Sequence, residues 1–167
     1  MHNNALGNTS YPLHEDIFNS SVLNEVFDSY GSYLLSQAFP EGGPCHPAYP
    51  SGHATWAGAT VTVLKAFFDE DVIVPNPVIT SSDGLDLLPY TGPDSNTLTI
   101  GGELNKLAWN IAMGRNFSGI HWRTDATMGL ALGEQIGISV LRDLKTSYAE
   151  DFQGFSLTGF DGSSIAI

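Results

Sequence analysis

The sequence predicts a mainly α-helical bundle, and two observations carry this prediction. Three stretches, residues 54–68, 103–113 and 124–144, place apolar residues at helical spacing and contain no proline. Residues typical of β-strands occur only in short pieces between and after these stretches. A length of 167 residues predicts one domain over residues 1–167 that is large enough to bury a core.

The segments before the first long helix hold one short helix. Residues 1–19 lack clear periodicity and predict an irregular N-terminal segment. Ser20 and Ser21 come directly before an apolar run, which predicts a capped short helix. Residues 40–50 contain four prolines and two glycines, and they predict a loop.

The three long helices supply the predicted core. The third is expected to begin at a cap formed by Thr124 or Asp125 and to end near Leu144. Trp109, within the second helix, and Trp122, in the junction before the third, are expected to be buried rather than to form a ligand platform. The expected core residues are Trp56, Ala57, Val61, Leu64, Phe67, Phe68, Leu104, Leu107, Ala108, Trp109, Ile111, Ala112, Trp122, Leu130, Ile136, Val140 and Leu144.

The connections between helices are of unequal length. Residues 70–102 form a long excursion with four prolines and short β pieces around residues 85–88 and 97–100. A connection of this length is more often functional than neutral. Residues 114–122 are predicted as a junction, and residues 151–167 as a terminal hairpin.

The composition excludes several classes of partner. The net charge is −12, from 18 acidic and 6 basic residues. We therefore expect no binding to nucleic acid and no docking on anionic membranes, because both require a basic surface. No apolar run approaches a membrane span and no signal peptide is visible, so a soluble protein of undetermined compartment is expected. Cys45 stands alone and predicts an ordinary free thiol.

The run His46-Pro47-Ala48-Tyr49-Pro50-Ser51-Gly52-His53 stands directly before the first long helix. The Ser51 hydroxyl and the backbone N–H groups of the first helical turn point to one spot, where the helix dipole favours negative charge. His53 adds a group that titrates near neutral pH. The run therefore predicts an anion pocket for phosphate-like chemistry.

A second cluster supplies complementary groups: Arg115, His121 and, four residues later, Asp125. Arginine presents a fork of donors suited to tetrahedral oxyanions. A carboxylate one turn after His121 can hold one ring nitrogen as N–H, which leaves the other free as a nucleophile or metal ligand. Taken singly, these residues also have structural interpretations, such as a helix cap for Asp125 or an ion pair for Arg115. Together with the first run, they favour an oxyanion site.

The motifs resemble a known superfamily. Pro50-Ser51-Gly52-His53, followed by Arg115, five residues, His121 and Asp125, resembles the second and third signature motifs of the vanadium-dependent haloperoxidases and acid phosphatases (PAP2). The similarity runs from about residue 34 to residue 144 and implies a helical bundle of that type. The stretches that resemble the bromoperoxidase branch are His46–His53, Val63–Ala66, Gly101–Leu107 and Leu132–Glu134.

The resemblance implies a cofactor and its ligands. The cofactor is vanadate, and phosphate would occupy the same site. His121 would be the axial ligand of the vanadium, with Asp125 behind it. Ser51, the amide of Gly52 and Arg115 would hydrogen-bond the vanadate oxygens.

The resemblance also implies a reaction. Bromide or iodide is oxidised by hydrogen peroxide to a hypohalous-acid equivalent, which halogenates a small organic acceptor. Vanadium acts as a Lewis acid on the peroxide. His53 would be the acid–base, and His46 stands where bromoperoxidases carry a histidine, which favours halide chemistry.

One motif of the superfamily has no counterpart here. This first motif is Lys, six residues, then Arg-Pro, whereas Lys65 is the first Lys or Arg of this chain. Two charge-assisted partners of the anion, each worth roughly 1.5–3 kcal/mol, are thereby missing. We expect the chain to be the C-terminal portion of a longer enzyme; charge from Arg123 or from a partner subunit is the alternative. Helices without their upstream neighbours should expose apolar faces, so we also expect a homo-oligomer.

Two other functions stay open. In a PAP2-type phosphatase, His121 would attack phosphorus and form a phosphohistidine while His53 protonates the leaving group. In an inactive domain, the fold would serve assembly or binding only, as the missing cationic motif suggests.

Overall fold

A computed structural model describes residues 15–33, 44–149 and 151–167 of the chain. Its contacts divide the chain into two units, residues 1–44 and 45–167. The prediction of a single domain over the whole length therefore stays a prediction.

The first unit contains helices α1 (Glu15–Phe18) and α2 (Ser21–Tyr30). The predicted short helix is confirmed as α2, with Ser20 at its N-cap position, although the Ser20 side chain makes no capping hydrogen bond. Most of the irregular segment predicted for residues 1–19 lies outside the described residues. Its described end is the single helical turn α1.

The second unit is built on helices α3 (Gly52–Phe67), α4 (Ile100–Phe117) and α5 (Arg123–Ser147). The mainly helical architecture predicted from the sequence is thus confirmed. α4 is longer than predicted, because the Thr99 side chain caps it by accepting the Gly102 N–H at 3.1 Å. It also continues to Phe117, through residues predicted as a junction.

Helices α3 and α5 run parallel with their backbones in close contact. Gly129, Gly133 and Gly137 stand one turn apart on the face of α5 that meets α3. A Cβ atom at Gly133 would lie 2.1 Å from the carbonyl oxygen of Thr55, and one at Gly137 would lie 2.8 Å from the Cβ atom of Thr62. The contacts advance in the same direction along both helices, so their N-termini lie at the same end of the bundle.

Helix α4 completes the core with small residues. Ala108 and Ala112 are fully buried against a cluster formed by α3 and α5. The five residues 118–122 then turn the chain from α4 into α5. The C-terminal end of α4 therefore lies beside the N-terminus of α5.

The core holds fewer large side chains than the sequence pattern predicts. Ala57, Val61, Ala108, Ala112 and Leu130 are buried as expected. The prediction was wrong for nine larger residues that are at least 39% exposed: Trp56, Phe67, Phe68, Leu107, Trp109, Trp122, Ile136, Val140 and Leu144. Backbones that touch through glycine and alanine leave room between them only for small side chains, so burial follows the small residues.

The long excursion carries one of its two predicted β pieces as a strand. Strand β2 (Leu87–Pro89) pairs antiparallel with β1 (Val78–Thr80), which sequence reasoning missed. The piece predicted around residues 97–100 is reduced to one bridge between Ile73 and Thr99, because α4 begins at the next residue.

The predicted terminal hairpin is confirmed. Strands β3 (Ser156–Thr158) and β4 (Ser164–Ala166) pair antiparallel within residues 151–167. The turn between them is closed by a hydrogen bond from the Gly159 N–H to the carbonyl oxygen of Ser163 at 2.8 Å.

Earlier in this unit, Cys45 is an exposed free thiol, as predicted. Across the described ranges, no helix combines the length and hydropathy needed to cross a membrane.

Three charged side chains hold this hairpin, and we call Lys65, Glu70 and Glu134 the hairpin socket. Lys65 is completely buried, donates to the carbonyl oxygen of Thr158 at 2.5 Å and lies 4.8 Å from the ring centre of Phe160. Glu70 accepts the Thr158 N–H at 2.5 Å, and Glu134 accepts the Phe160 N–H at 2.6 Å. Burial lowers the pKa of Lys65, while the two carboxylates oppose this shift.

Candidate functional site

The two sequence motifs meet at the shared end of α3 and α5. The backbone N–H of Ser51, at the N-cap of α3, donates to the carbonyl oxygen of Asp125 in the first turn of α5 at 3.1 Å. Two parallel helix N-termini therefore adjoin, and their dipoles both favour negative charge at this end of the bundle.

The start of α3 is organised by Ser51, which is fully buried. Its Oγ accepts the Ala54 N–H at 3.4 Å, and its carbonyl oxygen accepts the Thr55 N–H at 2.9 Å. The amides of Gly52 and His53 have no carbonyl of their own helix to donate to, since they belong to the first turn. Gly52 is exposed, and a Cβ atom there would meet nothing within 4 Å.

His121 and Asp125 form a buried pair at the start of α5. Their side chains are 1% and 6% exposed, and His121 Nδ1 lies 3.5 Å from Asp125 Oδ2. That oxygen also accepts the Trp122 N–H at 3.0 Å, and His121 Nδ1 has no hydrogen-bond partner among the described residues. With Nδ1 turned towards the carboxylate, Nε2 is the ring nitrogen available to a ligand.

The predicted cap of α5 was wrong by two or three residues. The N-cap residue is Trp122, and Asp125 is the third residue of the helix. Asp125 still serves the helix start, because its carboxylate accepts the N–H of the N-cap residue. It therefore has both of the roles that sequence reasoning weighed, as a helix-start acceptor and as a neighbour of His121.

Arg115 reaches the site from the last turn of α4. Its carbonyl oxygen accepts the Ile120 N–H at 3.1 Å, which closes the turn before His121. Its buried Nε atom finds no hydrogen-bond partner within the described ranges. A guanidinium donor that is buried without a partner suits an anion as its ligand.

His46 and His53 lie around this cluster. The ring centres of His46 and His121 are 6.0 Å apart, with an angle of 29° between the ring planes. His46 Nδ1 is 2.9 Å from the carbonyl oxygen of Pro47. Partial burial lowers the pKa of His53, and the positive charges of Arg115, His121 and His46 lower it further.

The predicted site residues therefore come together, although the contacts differ in kind. A backbone bond joins Ser51 to Asp125, and Asp125 contacts His121. The charges of Arg115, His121 and His46 lower the pKa of His53, which places all three near its ring. Within the described parts of the chain, no group of three His, Cys, Asp or Glu side chains forms a metal site.

Sequence reasoning missed the residues that hold this end of the bundle together. The glycine row Gly129, Gly133 and Gly137 sets the distance between α3 and α5. Its spacing of four residues was the available signal, since glycine one turn apart on a helix marks a close approach. The hairpin socket was also missed, although Lys65 stands alone within an apolar helix.

Fold and site define a helical-bundle protein with a cluster of His, Arg and Ser at paired helix N-termini. The chain belongs to the VCPO second helical-bundle domain family, whose profile matches residues 19–150. The resemblance seen in the sequence is thus confirmed at the level of the family.

Three relatives are vanadium-dependent bromoperoxidases. Those of Corallina officinalis and Corallina pilulifera are each 47% identical over 136 residues, which cover 81% of this chain and 22% of the relative. That of Ascophyllum nodosum is 45% identical over 139 residues, covering 81% of this chain and 24% of the relative. The chain thus spans less than a quarter of the length of the curated relatives it matches.

Proposed function

We propose that this chain carries most of a vanadate site and serves a bromoperoxidase-type reaction. In that reaction hydrogen peroxide, bromide or iodide, and one proton give a hypohalous acid and water, and the hypohalous acid halogenates a small organic acceptor. The observation that carries the proposal is the bond from the Ser51 N–H to the carbonyl oxygen of Asp125. It joins the two motifs at the positive ends of two helix dipoles.

The residues at this end of the bundle fit an oxyanion such as vanadate. Arg115 Nε is a buried donor that lacks a partner among the described residues. His121 is buried and has one ring nitrogen directed to Asp125, so its other nitrogen suits a metal ligand. The amides of Gly52 and His53 complete the donors. Ser51 is already engaged as a helix cap, and its predicted bond to vanadate stays a proposal.

Each group has one task in the proposed reaction. Vanadate, when bound, supplies a Lewis acid that polarises hydrogen peroxide. His53 is held towards its neutral form by burial and by neighbouring positive charge, so it can accept a proton from peroxide. His46 has a ring 6.0 Å from that of His121, and in this proposal it would act on the halide.

The charge of the site is completed by another polypeptide segment in this proposal. The chain has six basic residues, and Lys65 is unavailable because it is buried in the hairpin socket. Arg123 is exposed in the first turn of α5, so it stays the alternative within this chain. The relatives are more than four times as long as the matched segment, which leaves room for the Lys and Arg-Pro motif elsewhere in a longer chain.

The first test measures vanadate binding directly. Broadening of the ⁵¹V resonance of orthovanadate is recorded with the chain, with His121→Ala and with His46→Ala. We expect broadening with the chain and with His46→Ala, and none with His121→Ala. Equal loss in both variants would refute the division of roles between the two histidines.

The second test measures catalysis in a longer protein. The chain is extended upstream with a segment that carries Lys, six residues and Arg-Pro, and bromination of a phenol-type reporter is followed with vanadate, bromide and peroxide. Absence of bromination, despite bound vanadate, would overturn the haloperoxidase proposal. Hydrolysis of p-nitrophenyl phosphate with a trapped phosphohistidine at His121 would support the phosphatase, and neither activity would support an inactive assembly domain.

A further inference from the structure

An open cleft adjoins the candidate oxyanion site at the start of α3. It has a volume of about 350 Å³ and is lined by Gly52, His53 and Trp56. We call it the Trp56 cleft. Its volume lies near the lower end of the roughly 300–1,000 Å³ typical of small-molecule sites, so the cleft has room for a one-ring molecule.

Helix geometry brings the three lining residues together. Trp56 follows Gly52 by four residues and His53 by three, so all three lie on one face of α3. Side chains on a helix lean towards its N-terminus, which carries the Trp56 ring over the first turn. Gly52 has no side chain there, and a Cβ atom at this position would meet nothing within 4 Å. The space between the indole and His53 is therefore open to a ligand.

Trp56 presents its ring to this space because it takes no part in the core. It is 66% exposed, whereas Ala54 and Ala57 on either side of it are buried in the core cluster. An exposed indole offers a flat apolar face, and aromatic rings gain from stacking on such a face beyond the area that they bury. The cleft therefore favours a flat aromatic molecule over an aliphatic one of the same size.

The charge beside the cleft selects among aromatic molecules. The positive charges of Arg115, His121 and His46 lower the pKa of His53, which places all three side chains near the His53 ring. The positive end of the α3 dipole lies at the same place. An indole alone would attract a cation, but these charges repel one. A ring with a carboxylate is therefore favoured over the same ring with an ammonium group.

We infer that the Trp56 cleft binds an anionic, electron-rich aromatic molecule, with its ring stacked on the indole of Trp56 and its negative group on the side of Arg115. Such a ring beside His53 is the acceptor that a hypohalous acid attacks. The acid gives its halogen to a ring carbon, that carbon loses its proton, and water leaves. This assignment as the acceptor rests on the proposed function, whereas the binding itself does not.

Calorimetric titration of the chain with three ligands tests the inference without vanadate or peroxide. The ligand of the inferred class is 4-hydroxybenzoate. Tyramine carries the same ring with an ammonium group, and cyclohexanecarboxylate carries the carboxylate without an aromatic ring. We expect 4-hydroxybenzoate to bind about tenfold more tightly than either comparison ligand. Equal affinity of either comparison ligand would overturn the inference.

A pair of matched variants assigns the ring contact. Trp56→Leu keeps an apolar side chain but removes the aromatic face, so 4-hydroxybenzoate should bind no more tightly than cyclohexanecarboxylate. Phe67→Leu removes another exposed aromatic ring from the same face of α3, about 16 Å further along, and should leave all three affinities unchanged. Undiminished binding of 4-hydroxybenzoate by Trp56→Leu would contradict the inference.

NMR locates the ligand in the original chain, whether or not the variants fold. The indole N–H resonance of Trp56 should shift on titration with 4-hydroxybenzoate, and that of Trp109 on α4 should not. A shift at Trp109 or Trp122 alone would contradict the cleft. Binding at Trp56 in a chain that binds no vanadate at His121 would refute the proposed function and support the inferred binding. Vanadate binding without a preference for the anionic aromatic ring would support the proposed function and overturn the inference.

Discussion

The N–H of Ser51 donates to the carbonyl oxygen of Asp125 at 3.1 Å, and this bond joins the starts of two parallel helices. Its partners are main-chain atoms, so the geometry depends on how closely the two helix backbones approach. That approach requires glycine in α5, because a Cβ atom added at Gly129 would lie only 2.8 Å from the carbonyl oxygen of Ser51. The candidate site is therefore only as well ordered as the contact between α3 and α5.

Gly133→Ala should destabilise the second unit by about 1–3 kcal/mol. The added Cβ atom would lie 2.1 Å from the carbonyl oxygen of Thr55 and 2.7 Å from the N atom of Ala59, so the helices must separate. This cost exceeds the gain of up to about 1 kcal/mol from replacing glycine by alanine in a helix. Urea unfolding monitored by circular dichroism measures the difference.

Gly114→Ala is the matched control. Gly114 lies within α4, and a Cβ atom there would meet nothing within 4 Å. We expect a gain of about 0.5–1 kcal/mol from helix propensity alone. Similar unfolding free energies for both variants would show that the glycine contact does not control helix spacing.

The pKa of His53 should rise when Arg115 is neutralised. Positive charge nearby disfavours the imidazolium form, so Arg115→Gln removes one of the influences that hold the pKa of His53 below 6.5. The pKa of His53 should rise only part of the way to 6.5, because partial burial is the larger cause of its lowering and is unchanged in the variant. Titration of the His53 ring resonances by NMR, without vanadate, gives the midpoint directly.

The same shift has a consequence for stability. Because the pKa of His53 is lower in the folded than in the unfolded state, the unfolded state binds its proton more readily. The free energy of unfolding is therefore unaffected by this group above pH 6.5 and decreases as the pH falls below that value, because protonation of His53 favours the unfolded state. Arg115→Gln should make this decrease smaller. Arg123→Gln, at an exposed neighbouring cation, should leave the His53 midpoint unchanged. An unchanged midpoint in Arg115→Gln would contradict the prediction.

The helices and the candidate site were predictable from sequence for a shared reason. Periodic apolar residues identify helices locally, and the Ser51 and His121 motifs each lie at a helix start. The identity of the buried face was not predictable in this way. Hydrophobic periodicity assumes that large side chains fill the interface, whereas α3 and α5 meet through glycine and alanine, which leaves Trp56 and Ile136 exposed.

Contacts between distant residues were also beyond sequence reasoning. Lys65 and Thr158 are 93 residues apart, and nothing local indicates that a lysine in α3 binds the terminal hairpin.

The cap of α5 was misplaced because an aspartate is a favoured N-cap residue, while Trp122 takes that position and Asp125 bonds back to it.

In the proposed vanadate site, Asp125→Asn should weaken binding of the anion by about 10–100-fold. The carboxylate lies 3.5 Å from His121 Nδ1, and an amide cannot provide the same negative charge behind that ring. We expect only about 1 kcal/mol of lost stability, because an amide oxygen can still accept the Trp122 N–H. Thr124→Ala, at the exposed preceding position, is the control and should bind vanadate as the original chain does. Equilibrium dialysis and urea unfolding separate the two effects, and unaltered affinity in Asp125→Asn would exclude this role.

Lys65→Met should destabilise the second unit by about 3–5 kcal/mol, because it leaves Glu134 buried without its cation. In the double variant Lys65→Met/Glu134→Gln no buried charge is left on either of these residues, and the glutamine can still accept the Phe160 N–H. The double variant should therefore lose at least about 1 kcal/mol less than the sum of the single variants. Hydrogen exchange at the Phe160 amide reports hairpin release, and strictly additive losses would show that the two residues act independently.

The outer side of α5 should mediate self-association. Five large apolar residues recur there at every fourth position and are each at least 41% exposed: Met128, Leu132, Ile136, Val140 and Leu144. A row of this length runs about 24 Å along the helix and is long for an uncovered apolar surface. Ile136→Lys should shift sedimentation towards the monomer, whereas Ser82→Lys, which adds the same charge at an exposed turn, should not. A compact monomer of the original chain at every concentration would rule out the homo-oligomer expected from the sequence.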